Sequence, residues 1–279
     1  MKVSRIHHYT SIDTLALILA SKKVRFNRTD RVDDITESQR HPRIRFGSYF
    51  FVSCWTHDQA ESIPQWHMYT DRMKGVRISL PVMPFQQKRL VPRPGWKVET
   101  HGALHAPLSL DEQFGPNYFV VPMFLDLKHF GGAVEYCDDT ESRYEKAITL
   151  HEDKGRMSVQ ISKPFDLVRL KRSEWAFQKE YRFSLFVLPS LPVPADGPGS
   201  EAFASAFPNH VATALARGSP PGIDYLDVDL SNEALGEIEI TLGPLCSEGS
   251  KLAVRALAAE YAPGARVTES RFTGSIRSR

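Results

Sequence analysis

The sequence predicts an α+β fold, with a central mixed or antiparallel sheet split around a cleft and flanked by helices. Three observations predict it. Strand-like and helix-like segments alternate irregularly, without the even βα rhythm of a doubly wound or barrel fold. Neither GxGxxG nor GxxxxGK[ST] occurs, which closes the usual dinucleotide and P-loop routes. The 279 residues are 42% hydrophobic and 24% charged, enough to bury a substantial core. A single domain over residues 1–279 is expected.

The elements follow from local pattern. Residues 3–9 form a first strand, closed by Thr10 and Ser11 in capping positions. Leu15, Ile18 and Leu19 repeat at helical spacing and predict a helix over residues 12–21. Residues 23–26 alternate as a strand does, and residues 28–45 are polar and irregular. The run 47–55 is aromatic and β-branched, as in a buried strand. Pro64 suits the first turn of a helix running to about residue 73, and Gly75 ends it before a strand over 76–82.

Prolines and glycines punctuate residues 84–117, where an irregular insertion is expected. Strands follow at 118–124 and 132–137, with a helix or short strand from 144 to 151. Residues 165–171 and 181–188 are expected as paired strands. The stretch 189–200 holds Pro189, Pro192, Pro194, Pro198, Gly197 and Gly199 and reads as a loop. Residues 201–217 and 250–261 are helical in pattern, and strands are expected at 238–242 and 265–272.

Composition limits the function classes. A net charge of +2 and a pI near 8.4 fall short of a dedicated nucleic-acid binder. Basic residues cluster at Lys22, Lys23, Arg25, Arg28 and Arg31 and again at Arg40, Arg43 and Arg45; a solvated face is the plainer reading than a phosphate patch. Cys54, Cys137 and Cys246 are widely spaced, against a disulfide scaffold or zinc ribbon and in keeping with a reducing cytoplasm. No apolar run reaches the ~18 residues of a membrane span, and no signal-peptide core precedes the first helix, so a cytoplasmic protein with no membrane partner is expected.

Two distant segments concentrate chemistry. His7-His8-Tyr9-Thr10-Ser11 places imidazoles, a phenol and hydroxyls at the end of a strand. Residues 175–182, Trp-Ala-Phe-Gln-Lys-Glu-Tyr-Arg, place the carboxylate of Glu180 at the start of an apolar strand. A histidine can hold a ribose hydroxyl with no unusual pKa, and a carboxylate can stabilise an oxocarbenium-like transition state or act as a base. His8 is the first candidate, because neighbours in a strand point to opposite faces and only one imidazole enters a given cleft. Glu180 and Arg182 share a face, so a plain ion pair is the competing reading. Trp66 and Tyr69 share a helix face; Trp66 suits the core and Tyr69 suits a ring platform. Ser53 ends the most apolar strand, where Cys54 makes a poor nucleophile. Gly243-Pro244 before a helix offers a weak anion site. Asp33, Asp34 and Glu37 match no metal-loop spacing, and Asp34 and Glu37 are expected to tie the loop to Arg25, Arg28 or Arg31. No metal is expected.

The order of landmarks resembles the bacterial domain of unknown function 2971 family. These landmarks are His8-Tyr9-Thr10-Ser11, Asp33-Asp34-Glu37, Val52-Ser53-Cys54-Trp55, Gln65 to Tyr69, Lys74-Gly75-Val76, Trp175 to Arg182, and Ile240 to Pro244. Departures are Asp33-Asp34-Ile35 where the family usually has Asn-Asp-Pro, and Gln178 where an acidic residue is common; residues 84–117 match nothing in it. That family in turn is distantly similar to ADP-ribosyltransferases. The resemblance implies an ADP-ribosyltransferase-like fold and NAD as substrate. It implies that Glu180 and His8 are catalytic, with His8, Tyr9, Thr10, Ser53, Tyr69 and Gln178 around the nucleotide, and a nucleic-acid or protein acceptor. It also implies a toxin or phage-defence setting with an antitoxin or defence partner.

Three readings are carried forward. One is an NAD-dependent ADP-ribosyltransferase or NAD glycohydrolase. The second is a non-catalytic nucleotide-sensing or partner-binding module, which requires Glu180 to pair tightly with Arg182 and to point away from His8. The third is a metal-dependent hydrolase or nuclease, which requires Asp33, Asp34, His8 and His57 to converge.

Overall fold

The computed structural model describes residues 3–38, 44–96, 104–153, 156–162 and 166–277. Among them, ten strands join one mixed sheet, with helices packed against it. In chain order its main elements are β1 (Arg5–Thr10), α1 (Ile12–Ser21), β2 (Lys23–Arg28), β3 (Phe50–Thr56), α2 (Ile63–Tyr69), β4 (Val76–Pro81), β5 (Phe119–Val121), β6 (Gly131–Ala133), β7 (Glu180–Leu188), α3 (Glu201–Arg217), β8 (Tyr225–Asp229), β9 (Glu239–Leu242), α4 (Glu248–Tyr261) and β10 (Arg266–Glu269). The α+β class and large mixed sheet match the expectation.

Local chemistry sets the boundaries. Ser11 Oγ accepts the Thr14 N–H at 3.1 Å, capping α1, and Lys22 leaves it in the left-handed region at φ 56°. Ser62 caps α2, with Pro64 in its first turn. That helix stops at Tyr69 rather than near residue 73. Asp71, Arg72 and Met73 all have positive φ (48°, 55° and 72°), and this left-handed turn returns the Met73 N–H to the Trp66 carbonyl at 3.0 Å. Gly75 then lets two backbones meet, since a Cβ there would lie 2.2 Å from the Thr10 carbonyl oxygen.

The sheet is split, and the register shows where. β7 pairs with the whole of β3 along one edge, from Glu180↔Thr56 to Phe186↔Phe50. The other edge of β3 is shared between two strands: β2 meets it at Asn27↔Val52 and Arg28↔Phe51, and β1 at His7↔Thr56. Between these points Ser53, Cys54 and Trp55 have no ladder partner on that edge. The gap arises because β1 and β2 flank α1 and diverge around it. Beyond β1 the sheet continues through β4 and β9 to β10, with β9 and β10 parallel.

One face of the sheet buries Ile6, Leu15, Ile18, Phe26, Trp55 and Ile78, among others, at 7% exposure or less. Each such side chain contributes roughly 1.5–3 kcal/mol when removed from water. A second cluster gathers around Tyr49, Phe50, Phe186 and Leu188, and Tyr9, Trp66 and Met73 form a third beneath α2.

Several expectations change. The segment before Trp175 does not pair with β7. Residues Asp166–Arg169 are helical, and the short strand Leu170–Lys171 pairs in parallel with Glu135–Tyr136. The β7 edge it was to occupy is taken by β5 and β6. Residues 144–151 hold both a helix end and a strand, with Thr140–Ala147 helical and Ile148–Asp153 extended. The expected insertion is part of the body: Phe85, Ala106 and Leu108 lie in the main core, while residues 97–103 fall outside the described residues. β8 pairs with β2 and was not anticipated. Arg40, Arg43 and residue 165 also lie outside the described residues.

Candidate functional site

A cavity of about 580 Å³ opens at the split in the sheet. His7, His8, Tyr9, Ser53, Tyr69, Gln178 and Glu180 all line it. Residues from both ends of the chain meet there because β1 and β7 flank the same strand.

Register decides which residues share a side. His7 pairs with Thr56 and Thr56 with Glu180, so these three side chains form one rung on one face. His8 lies on the opposite face, its ring centroid 5.1 Å from that of Trp55. The sequence pairing of His8 with Glu180 is therefore corrected: His7 is the histidine on the face of Glu180. His8 reaches the same cavity because the ladder is broken beside it. Its Nδ1 bonds to the Cys54 carbonyl at 3.0 Å, in the gap where a strand N–H would otherwise donate. Burial lowers the His8 pKa against this bond, which keeps the ring neutral. With Nδ1 as donor, Nε2 is the unprotonated nitrogen and an acceptor for a hydroxyl.

His7 was not singled out by sequence reasoning. It is buried, with Nε2 3.3 Å from Gln59 Oε1 and Nδ1 without a partner among the described residues. Burial first, then the Arg77 guanidinium, bring its pKa down to about 3.

Glu180 sits in a buried four-charge cluster. Its Oε1 accepts from Arg182 Nε at 2.7 Å and its Oε2 from Lys171 Nζ at 3.2 Å. Both cations also bind Glu37, Arg182 at 2.7 Å and Lys171 at 3.2 Å. Two carboxylates thus meet two cations. Burial acts to raise the Glu180 pKa, but Arg182 and Lys171 outweigh it and bring it down to about 2. The carboxylate is a fixed negative charge at neutral pH rather than a proton carrier. Lys179, in the left-handed region at φ 41°, turns the chain into β7, and its ammonium pairs with Asp58 at 2.7 Å.

Gln178 links the cluster to α2. It accepts from Lys171 Nζ at 2.8 Å and donates to the Tyr69 hydroxyl at 2.5 Å, while Gln65 donates to its carbonyl at 3.1 Å. Burial raises the Tyr69 pKa, and the carboxylates of Asp33 and Glu180 add to it. Tyr9 has a different commitment. Its hydroxyl accepts the Ser62 N–H at 2.9 Å at the start of α2, and its ring meets Trp66 edge-on at 4.9 Å. Ser53 Oγ accepts from Trp55 Nε1 at 3.0 Å. Thr10 is corrected: it is buried, pairs with Val76 on the β4 side and is not part of the cavity wall. Trp66 is fully buried, as its helix position implied.

The acidic loop also differs from expectation. Glu37 reaches the buried cations rather than Arg25, Arg28 or Arg31, and Asp34 Oδ1 accepts the Thr36 N–H at 3.0 Å. Among the described residues no group of three or more His, Cys, Asp or Glu side chains could hold a metal ion, so the convergence required for a metal hydrolase is not seen. Burial first, then Glu180, push the Cys54 thiol well up, which removes it as a nucleophile. The Gly243 and Leu245 amides already donate to the Gly75 and Met73 carbonyls. Among the described residues no helix is long and apolar enough to cross a membrane.

Lys171 and Glu37 are the site residues that sequence spacing could not reveal as partners of Glu180. Both lie among other charges, Lys171 between Arg169 and Arg172 and Glu37 close to Asp33 and Asp34, and only an apolar flank such as Leu167, Val168 and Leu170 hints that Lys171 is buried. Compared with known proteins, the chain matches no family model, no curated protein and no solved structure.

Proposed function

We propose that the cleft binds NAD and that the chain cleaves its nicotinamide glycosidic bond, passing ADP-ribose to a nucleic-acid or protein acceptor or to water. The observation that carries this reading is the meeting of His8, Tyr69, Gln178 and Glu180 on one cavity at the sheet split. Neutral His8 offers Nε2 to a ribose hydroxyl. Tyr69, half-buried on the cavity wall, offers a face for a ring, worth roughly 0.5–1.5 kcal/mol beyond burial. Glu180, ionised throughout the neutral range, supplies negative charge for a cation developing at the ribose C1. The landmark order that resembles the family of domain 2971 supports the same ligand.

A second reading is favoured by one specific observation. Both Glu180 oxygens are bound by Arg182 and Lys171, so the cluster has little net field to offer a cation. That arrangement suits a non-catalytic module sensing a nucleotide in the same cavity.

Nicotinamide release from NAD, measured with and without RNA, DNA and lysate, separates the two. Release that falls at least ~100-fold in Glu180→Gln supports catalysis. NAD binding by calorimetry with no release under any condition selects the sensing module, and absence of both rejects the nucleotide.

A further inference from the structure

The cavity wall is rich in charge, and nearly all of it is matched locally. Lys23 pairs with Asp229 at 3.3 Å, Arg25 with Asp227 at 2.9 Å and Arg31 with Asp224 at 2.7 Å. Lys171 and Arg182 are held by Glu37 and Glu180. Asp33 is the exception. It lines the cavity from the acidic loop, is hydrogen-bonded to the Tyr69 hydroxyl, and makes no ion pair among the described residues.

An ion-paired charge presents a ligand with little net field, whereas a carboxylate with no ion pair keeps a net negative field, which water screens in part. The side of the cavity near Tyr69 therefore combines an aromatic face with a surplus negative charge. A flat cationic ring is complementary to both. A neutral ring of the same size satisfies only the aromatic face, and an anionic group is repelled.

We propose that Asp33 makes this cavity selective for a ligand bearing a cationic aromatic ring, so that it separates the oxidised pyridinium form of a nicotinamide dinucleotide from the neutral reduced form. The inference rests on the nucleotide reading above and names the ligand feature it recognises. Asp33 acts in binding and need not touch the bond that breaks.

Calorimetry on the full chain tests this with two matched pairs, NAD against NADH and the 1-methylnicotinamide cation against neutral nicotinamide. The wild type is expected to bind the cationic member of each pair roughly two- to five-fold more tightly, the size of an exposed ion pair. Asp33→Asn, a substitution at an exposed position, is expected to abolish that preference and leave affinity for the neutral members unchanged. Equal binding of NAD and NADH by the wild type, or a preference that survives in Asp33→Asn, overturns the selection while the nucleotide reading stands. Asp33-dependent binding of 1-methylnicotinamide with no binding of either dinucleotide rejects the nucleotide and keeps the cation selection. Failure of every probe overturns both.

Discussion

Arg182 is wholly buried, and its two carboxylate partners explain how a guanidinium can sit there. Removing one member of such a cluster leaves the others buried and unpaired. Arg182→Met is expected to cost about 3–5 kcal/mol in urea unfolding. A loss below ~1 kcal/mol would show that water already screens the cluster. Glu180 itself stood out in the sequence because a carboxylate opened an apolar strand. Glu37 and Lys171 did not, because Glu37 lies far from it in the chain and Lys171, nine residues before it, reaches it only through the fold. The same limit applies to the histidines. Alternation put His7 and His8 on opposite faces, but only the pairing to Thr56 told which face Glu180 shares.

Three consecutive left-handed residues after α2 are unusual for side chains with a Cβ, which costs roughly 1–2 kcal/mol per residue in that region. They persist because Met73 is buried and its N–H is fixed to Trp66. Arg72 is exposed, so Arg72→Gly relieves the strain without removing a core contact. The gain exceeds the added freedom of the unfolded chain and leaves about 0.5–1 kcal/mol of stabilisation. A thermal scan checks this, and a lower melting temperature would mean that the Arg72 side chain has a stabilising contact in solution. Element by element, α1 and α3 were legible to the residue because caps and apolar period coincide there. The end of α2 was not, since nothing in Asp71-Arg72-Met73 announces positive φ.

Acid is expected to destabilise the whole molecule in two stages. The folded His7 pKa of about 3 lies below its ordinary 6.5, so only the unfolded chain takes up that proton between the two values. The stability from His7 is full above about pH 6.5 and is lost as pH falls toward 3, at no more than about 1.4 kcal/mol per pH unit. Glu180, at about 2 against 4.5, begins to contribute in the same direction only below pH 4.5. Denaturation midpoints between pH 7 and 5 should fall in the wild type and less steeply in His7→Asn. Equal slopes would show that His7 is protonated in the folded protein.

The sequence by itself determined the α+β class, most helices and strands, and a short set of polar residues too unusual to be filler. It could do so because caps, apolar period and strand alternation act within a few residues. Tertiary structure alone decided that β1 and β2 share one edge of β3, that the gap between them is the cavity, and that Asp33 has no ion-pair partner there among the described residues. Those outcomes depend on register and on charges paired across long stretches of chain, and neither is encoded in local spacing.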